Sequence, residues 1–274
     1  MWSKSKKVGL VLGSGAARGM AHIGVLDVLE QEGIAIDMIA GTSAGAAVGA
    51  LYAQGKSAGE IISIALALEQ YRLTRFIDPS LPRSGFIKGK KIKGLMASFI
   101  GGDIKFSDLK IPFACVAADI DTGEEVVIDR GSVPEAVRAS ISLPAIFAVV
   151  KRSGRFLVDG GLVNPVPVSV LRNMGADLII AVNVIPEVSD RVHYRGDEKK
   201  SGKEPSIIHV LMQSLFINAY SLVVSSMEGA DIVIEPHLNH IGAGDFHQTQ
   251  ECIRLGRLAA RNAVPEIKRA IKAL

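Results

Sequence analysis

Cysteine is scarce in this chain, and its two cysteines, Cys115 and Cys252, lie far apart in the sequence. So few thiols exclude a small disulfide-stapled scaffold, and their spacing excludes a cysteine-based metal module. The run around Cys115, "FACVAA", is apolar and predicts a buried side chain. This cysteine usage fits a reducing compartment, and we expect the protein to be cytoplasmic.

A surplus of charge of one sign is also missing. Lys and Arg number 31 against 28 Asp and Glu, so the net charge is +3. This balance does not fit a nucleic-acid-binding protein. One basic cluster, "KGKKIKG" (88–94), stands out. Such a cluster is typical of a solvated loop or helix edge, and the alternative is a contact with anionic lipid head groups.

Long hydrophobic runs are rare as well. The N-terminal stretch "MWSKSKKVGLVLGSG" has basic residues but too short an apolar run for a secretory signal. Residues 206–227 carry no formal charge and are long enough to span a bilayer. This stretch is interrupted by five serines and by His209, Gln213, Asn218 and Tyr220. A buried or lipid-facing helix is therefore favoured over a membrane span.

What the sequence does contain is a regular alternation of strand and helix patterns. Strands are predicted at 8–13, 36–41, 111–120, 124–130, 154–161, 178–184 and 231–236. Helices are predicted at 18–33, 44–55, 57–70, 132–140, 167–177, 206–227 and from about 249. This alternation indicates a mostly parallel sheet covered by helices on both faces. We expect one three-layer α/β/α domain over residues 1–274.

Two regions break the alternation. Prolines and glycines interrupt residues 71–110, where we expect loops and one short helix that cover the functional site. Residues 186–205 are polar and rich in glycine and charge, which predicts a mobile loop.

The first motif, "LGSGAARG" (12–19), joins the first strand to the first helix. As a dinucleotide fingerprint it has Gly13 and Gly15, but Arg18 stands where the third glycine is needed for close packing. The acidic residue expected after the second strand is missing too. The other interpretation is a cradle of backbone N–H groups at a helix N-terminus, suited to a bound anion or a developing oxyanion.

The second motif, "GTSAG" (41–45), lies between an apolar strand and a small-residue helix. G-x-S-x-G alone is weak evidence, because Ser43 could simply cap the helix. The strand before it and the helix after it predict a sharp turn that exposes the Ser43 hydroxyl as a nucleophile.

The third motif, "VDGG" (158–161), ends another apolar strand. Asp-Gly alone is typical of an ordinary turn. Because ligands of open α/β sheets bind at the carboxyl ends of strands, however, all three motifs are predicted to converge at one edge. Asp159 is then a candidate general base. Its reference pKa of about 3.9 is low for that task, and a partly dry cleft would raise it.

A histidine is the alternative base. His237 or His247 would satisfy the chain order Ser, Asp, His of an α/β-hydrolase triad. Such a hydrolase needs several strands before its nucleophile, whereas Ser43 follows only the second predicted strand. The sequence therefore favours a Ser43–Asp159 dyad over a triad.

These motifs together resemble the bacterial patatin-like phospholipases. The resemblance rests on "GLVLGSGAARGMAHIGVL", "GTSAG", "VDGGLVNPVPV" and "RASISLPAIFAVV" (138–150), the last being similar to the segment before that family's catalytic aspartate. It runs from about residue 7 to 184 and resumes near "DIVIEP" and "DFHQTQECIRLG". It is weakest over 186–230.

The resemblance implies a serine acyl hydrolase that cleaves lipid acyl esters, of lysophospholipase or phospholipase A type, with no metal or cofactor needed. It implies Ser43 as nucleophile and Asp159 as base. The implied oxyanion hole consists of Gly13, Ser14, Gly15 and Ala16, with Arg18 stabilising the loop or its charge. Many relatives carry glycine at positions 14 and 16, so the backbone angles there are of particular interest.

A second class of function stays open beside this one. The same fold can serve as a regulatory or scaffolding protein with weak esterase activity, because fold alone does not decide function. An intact set of Ser43, glycine loop and Asp159 favours the enzyme. The basic cluster at 88–94 and the uncharged stretch at 206–227 further predict peripheral contact with a membrane.

Overall fold

The computed structural model describes residues 6–70, 102–187 and 207–274. The basic cluster at 88–94 lies outside the described residues. So do most of the irregular region predicted at 71–110 and nearly all of the loop predicted at 186–205.

Eight strands form one mixed sheet in the described part of the chain. They are β1 (Val8–Leu12), β2 (Met38–Thr42), β3 (Phe113–Asp119), β4 (Glu125–Ile128), β5 (Val150–Arg152), β6 (Arg155–Asp159), β7 (Leu178–Val182) and β8 (Ile232–Ile234). The strand order is β5-β6-β3-β2-β1-β7-β8, and β4 also pairs with β3. Strands β3, β2, β1, β7 and β8 are parallel, whereas β4 and β6 pair antiparallel with β3, and β5 pairs antiparallel with β6. The prediction of a mostly parallel sheet is confirmed.

The helices begin and end close to the predicted positions. They are α1 (Ala21–Gln31), α2 (Ala44–Ala53), α3 (Ala58–Gln70), α4 (Val133–Ser140), α5 (Val168–Met174), α6 (Ile207–Ser226) and α7 (Thr249–Ala273). Glycine allows α1 and α7 to cross closely. A Cβ at Gly24 would lie 2.0 Å from the carbonyl oxygen of Ile253, and one at Gly256 would lie 2.0 Å from that of Ala21.

Helices cover both faces of the sheet. Leu10 and Leu12 of β1 belong to the larger core, which the sheet forms with α1, α2, α3, α4 and α7. Val11, between them, faces the opposite core with Leu171 of α5. Successive side chains of a strand point to opposite faces, so a strand buried on both sides is a continuous apolar run. The three-layer α/β/α architecture is confirmed.

The direction of β6 differs from the simple expectation that each motif ends a parallel strand. Thr42 of β2 pairs with Val116 of β3, and Asp159 of β6 pairs with the next residue, Ala117. β4 pairs with Cys115–Ala118 of β3, a stretch that includes residues paired with β2 and residues paired with β6. β4 must therefore occupy the opposite edge of β3 from β2 and β6. β2 and β6 therefore lie on the same edge of β3 and meet head to head. The motifs converge because an antiparallel strand brings Asp159 back toward the end of β2.

The reversal comes from a tight hairpin that the sequence analysis missed. Strands β5 and β6 are joined by Ser153 and Gly154, whose φ angles are 49° and 81°. Two consecutive residues with positive φ are typical of a two-residue hairpin loop. The Ser-Gly pair was the signal for it, but β5 is only three residues long and gave no clear alternation.

Helix α6 covers the uncharged stretch predicted to be helical. Phe216, Ala219 and Val223 are buried, and the last two pack against Ile185, which follows β7. The Asn218 side chain donates to the carbonyl of Leu162 at 3.3 Å. Within the described ranges, no helix has the length and apolar character required to cross a membrane.

Candidate active site

Ser43 lies on a strained turn between β2 and α2. Its φ of 55° and ψ of −118° are far from the angles that a residue with a side chain usually adopts. Such strain persists only where the surrounding structure imposes it, and it is concentrated at functional sites. The side chain of Ser43 makes no capping bond to α2. The alternative that Ser43 is merely a helix cap is therefore not supported by the geometry.

The glycines on either side of Ser43 are required by close backbone contacts. A Cβ at Gly45 would lie 2.0 Å from the carbonyl oxygen of Leu12, and one at Gly41 would lie 2.7 Å from the backbone of α2. The missing side chains let α2 start directly against the end of β1. This contact brings the serine turn beside the glycine loop.

The Ser43 hydroxyl donates to Asp159, with Oγ and Oδ2 2.6 Å apart. Both side chains are buried, with exposed fractions of 8% and 4%. The other carboxylate oxygen of Asp159 accepts from the Gly161 N–H at 2.8 Å. Burial raises the pKa of Asp159 from 3.8 to about 6, against the opposing effect of the hydrogen bonds from Ser43 and Gly161. A carboxylate of this basicity is suited to accept the Ser43 proton near neutral pH.

Two of the four N–H groups of the glycine loop donate to backbone carbonyls. Gly13 N–H donates to the carbonyl of Val182 at 3.0 Å, and Ser14 N–H donates to that of Pro165 at 2.8 Å. In the described part of the chain, no acceptor pairs with the N–H of Gly15 or Ala16. The oxyanion hole of Gly13, Ser14, Gly15 and Ala16 stays a prediction, and two of its four N–H groups already have backbone acceptors. Gly13 and Ser14 hold the loop to its neighbours, and Gly15 and Ala16 keep the N–H groups available to a ligand.

Alanine adopts the backbone angles that a glycine would favour at position 16. Ala16 has φ of 50°, whereas Ser14 is not among the residues with positive φ. Ser14 faces the aspartate turn, since a Cβ on Gly161 would lie 2.8 Å from Ser14 Oγ and 3.1 Å from Asp159 Oδ1. The glycine loop therefore borders both the serine turn and the aspartate turn.

His22 holds the glycine loop in place through a hydrogen bond to its backbone. Its Nε2–H donates to the carbonyl of Gly13 at 2.8 Å, and the ring is fully buried. Burial lowers the pKa of His22 to about 4, despite the bond to Gly13, which acts in the opposite direction. The ring is thus neutral at physiological pH. His22 was not predictable from the sequence, because a lone histidine on an apolar helix carries no signal of its own.

Arg18 is buried, and its side chain bonds a backbone carbonyl of the loop at 241–243. Its Nε donates to the carbonyl of Ile241 at 2.7 Å, and the neighbouring Ala17 N–H donates to that of Ala243 at 3.0 Å. These bonds tie the start of the first helix to the 241–243 loop. In this arrangement Arg18 supports the loop through its backbone contacts.

The two histidines considered as alternative bases differ from Ser43 and Asp159 in their exposure to solvent. His237 and His247 are both exposed, whereas Ser43 and Asp159 are buried. The hydroxyl of Ser43 is directed at the carboxylate. The geometry therefore favours the dyad interpretation over the triad.

A further group of polar residues around the dyad went unnoticed in the sequence. Ser140, at the end of α4, accepts from the Ser43 N–H at 2.9 Å. The carbonyl of Ser142 accepts from the Asp159 N–H at 3.0 Å. Both residues belong to the segment "RASISLPAIF", whose similarity to a known family was noted without a role for any residue in it.

Comparison with known proteins places this geometry in a family. The sequence matches the family described as "Patatin-like phospholipase" over residues 10–172, which is more than half of the chain. The chain belongs to the patatin-like phospholipase family. The match includes the glycine loop, Ser43 and Asp159.

The relatives are mostly longer proteins. An uncharacterised NTE family protein of Mycobacterium bovis is 40% identical over 182 residues, which cover 66% of this chain and 50% of the relative. Another, of Mycobacterium tuberculosis, is 31% identical over 278 residues and is covered to 46%. The lysophospholipase NTE1 of Pyricularia oryzae is 28% identical over 270 residues, or 92% of this chain and 18% of the relative. The chain spans about half the length of the first two relatives.

A solved structure supports the fold independently of sequence identity. VipD from Legionella pneumophila superposes with a TM-score of 0.54 at 12% identity, covering 95% of this chain and 67% of that one. The fold is thus the patatin-like α/β/α fold expected from the sequence.

Proposed function

We propose that the protein is a serine acyl hydrolase that cleaves acyl esters of lipids through a Ser43–Asp159 dyad. The observation that carries the proposal is the 2.6 Å hydrogen bond from Ser43 Oγ to a buried carboxylate whose pKa is raised to about 6. Membership of the patatin-like phospholipase family supports the lipid ester as substrate class. The lysophospholipase name of a relative favours lysophospholipids and phospholipids among those esters.

Acylation begins with attack of Ser43 Oγ on the ester carbonyl. The hydroxyl proton passes to Asp159 Oδ2 as the new carbon–oxygen bond forms. The negative charge that develops on the carbonyl oxygen is stabilised by the N–H groups of Gly15 and Ala16, which have no other acceptor in the described part of the chain. The tetrahedral intermediate then expels the alcohol, which takes the proton from Asp159, and an acyl-Ser43 remains.

Deacylation repeats these steps with water. The Asp159 carboxylate removes a proton from a water molecule as its oxygen attacks the acyl carbonyl. The second tetrahedral intermediate releases the fatty acid, and the Ser43 oxygen regains its proton from Asp159.

The decisive experiment measures covalent labelling and hydrolysis in matched variants. We expect a fluorophosphonate probe to label the wild type on Ser43 and the wild type to hydrolyse a short-chain p-nitrophenyl ester. Ser43→Ala should abolish both activities, and Asp159→Asn should lower the hydrolysis rate by about 10² to 10⁴.

His237→Ala serves as the control and should retain wild-type rates. A folded Ser43→Ala variant that retains hydrolysis would exclude the dyad, and a wild type inert to both reagents would favour a scaffolding role. Product analysis from mixed phospholipids then separates lysophospholipase from phospholipase A activity.

The proposal includes a lipid surface as partner, contacted through α6. This helix has no charged residue and leaves Val210, Ile217 and Val224 exposed at intervals of seven positions, which places them along one side. Ser214 and Ser221 lie between them, and their hydroxyls donate to the carbonyls of Val210 and Ile217 at 2.9 and 3.0 Å. Because these hydroxyls are satisfied inside the helix, the surface can enter an apolar medium without losing hydrogen bonds to water.

The position of α6 supports the same partner. Asn218 bonds the carbonyl of Leu162, in the short helical turn that directly follows Asp159. A lipid held at α6 would thus lie near the dyad. Both cysteines are buried free thiols, in keeping with a cytoplasmic protein that meets a membrane from the reducing side.

Sedimentation with anionic vesicles tests this contact. Ile217→Glu places a charge on the exposed side of α6, and Leu258→Glu, at a residue of similar exposure on α7, is the control. We expect binding that survives high salt in the wild type and in Leu258→Glu, and weaker binding in Ile217→Glu. Release of the wild type by salt would indicate adsorption by basic residues alone. Absence of binding at every salt concentration would refute the contact and favour a soluble acyl ester or thioester.

A further inference from the structure

Two backbone groups lose their sheet partners at the serine turn. Thr42 and Val116 form the last pair between β2 and β3, and the chain turns away from the sheet at Ser43. The N–H of Ser43 and the carbonyl of Val116 are then left without a neighbouring strand in this register. Buried backbone groups of this kind need other partners, because an unpaired one is costly.

The hydroxyl of Ser140 satisfies both groups. It accepts from the Ser43 N–H at 2.9 Å and donates to the carbonyl of Val116 at 2.6 Å. Ser140 is completely buried at the end of α4. Its side chain thus extends the β2–β3 ladder by one step at the point where the strained serine begins.

The same segment also holds the backbone of the aspartate. The carbonyl of Ser142 accepts from the Asp159 N–H at 3.0 Å. The Arg138 side chain anchors this segment, donating to Ser142 Oγ at 2.5 Å and to the carbonyl of Ala148 at 2.9 Å. The 140–142 segment therefore bonds the backbone of both members of the dyad.

We infer that Ser140 is a positioning residue, and that the 140–142 segment sets the distance between Ser43 Oγ and Asp159. This inference rests on the proposed dyad. The hydroxyl of Ser140 bonds the backbone N–H of Ser43, so it fixes where the nucleophile lies. A misplacement of about 1 Å costs roughly 10²-fold in rate, so the loss of this bond should be visible in the kinetics.

The test compares Ser140→Ala with Thr249→Val. Thr249 is also buried, but its hydroxyl donates to the carbonyl of Phe246 at 2.7 Å and not to the dyad or the 140–142 segment. The rate constant for fluorophosphonate labelling is measured from pH 4 to 9. We expect Ser140→Ala to lower the plateau about 10- to 100-fold and Thr249→Val to retain it. Because the bond from Ser43 lowers the pKa of Asp159, a longer bond should leave the midpoint of Ser140→Ala at or above the wild-type value. A wild-type plateau in Ser140→Ala, or a lowered midpoint, would overturn the inference.

A second pair of variants isolates the hydroxyl if Ser140→Ala folds poorly. Ser140→Thr retains an oxygen, and Ser140→Val has the same shape without one. We expect the Thr variant to label at least 10-fold faster than the Val variant, and equal rates would overturn the inference. Failure of the wild type to label, or labelling of Ser43→Ala, would instead refute the dyad itself, so the two failures are distinguishable.

Discussion

Replacing the buried carboxylate of Asp159 by its amide should make the protein more stable at neutral pH while lowering its rate of ester hydrolysis. In Asp159→Asn the amide oxygen can still accept from the Gly161 N–H, and the amide nitrogen can donate to Ser43 Oγ. The variant has the same shape as the wild type and carries no charge. The cost of burying the charge is thereby removed.

The pKa of Asp159 gives the size of this effect. Folding raises it from 3.8 to about 6, so the folded state holds the proton more tightly than the unfolded state. The wild type therefore loses stability as the pH rises from about 4 to 6, and above that range the penalty is about 3 kcal/mol, at 1.36 kcal/mol per pKa unit. A weaker hydrogen bond to Ser43 would offset about 1 kcal/mol. We expect a net gain of about 2 kcal/mol at pH 8 and no gain below pH 4.

Urea unfolding followed by circular dichroism at pH 8, 6 and 4 measures the difference between variant and wild type. The comparison must be made at each pH, because His22 has the opposite dependence. Its pKa is lowered from 6.5 to about 4, so the stability it contributes is lost as the pH falls through this window. His22 is present in both proteins, and its contribution cancels in the difference.

Asp119→Asn is the matched control. Asp119 is as buried as Asp159, but its carboxylate lies 3.3 Å from Arg155 and accepts from the Asp121 N–H. Neutralising it removes an ion pair, so this variant should not be stabilised at pH 8. The reasoning is refuted if Asp159→Asn is no more stable than the wild type at pH 8, or if its gain is the same at pH 4 as at pH 8.

Three further predictions follow from the same geometry. The kcat/KM of ester hydrolysis should fall below pH about 6, where Asp159 becomes protonated, and a profile flat down to pH 4 would contradict its role as base. Gly45→Ala should destabilise the protein by about 3 kcal/mol or more in urea unfolding, because the new Cβ would lie 2.0 Å from the Leu12 carbonyl oxygen. Gly59→Ala is the control and should be neutral or stabilising, because its Cβ would have no neighbour nearer than 3.9 Å. Ser43→Gly should be about 1 kcal/mol more stable than Ser43→Ala, because glycine adopts the φ of 55° without strain; equal stabilities would show that the turn is not strained.

Local features of the site were predictable from the sequence because each is encoded in a few consecutive residues. An apolar run, a Gly-x-Ser-x-Gly turn and a small-residue helix specify the strained position of Ser43, and no distant contact is needed to recognise them. The glycine loop was recognisable for the same reason. The alternation of buried strands and helices likewise predicted three layers, since strands covered on both faces must be apolar throughout.

The partners of these features were decided by tertiary structure. Ser43 and Asp159 are 116 positions apart, and they meet because β2 and β6 lie head to head on one edge of β3. That arrangement depends on a two-residue turn and on strand order, and neither follows from the motif at either end. The sequence pattern predicted the convergence but not the antiparallel strand that produces it.

The same distinction applies to the hydrogen bonds around the dyad. A sequence shows which residues carry an N–H, yet only the folded chain shows which of them have acceptors. Gly13 and Ser14 donate theirs to backbone carbonyls, whereas Gly15 and Ala16 have no acceptor among the residues that the structure describes. Ser140 is one serine among many until folding places its hydroxyl between two unpaired backbone groups. The sequence by itself identified the candidate nucleophile, base and glycine loop, because reactivity belongs to residue types and local turns. The tertiary structure decided their distances, protonation and supports, because these depend on burial and on contacts between segments far apart in the chain.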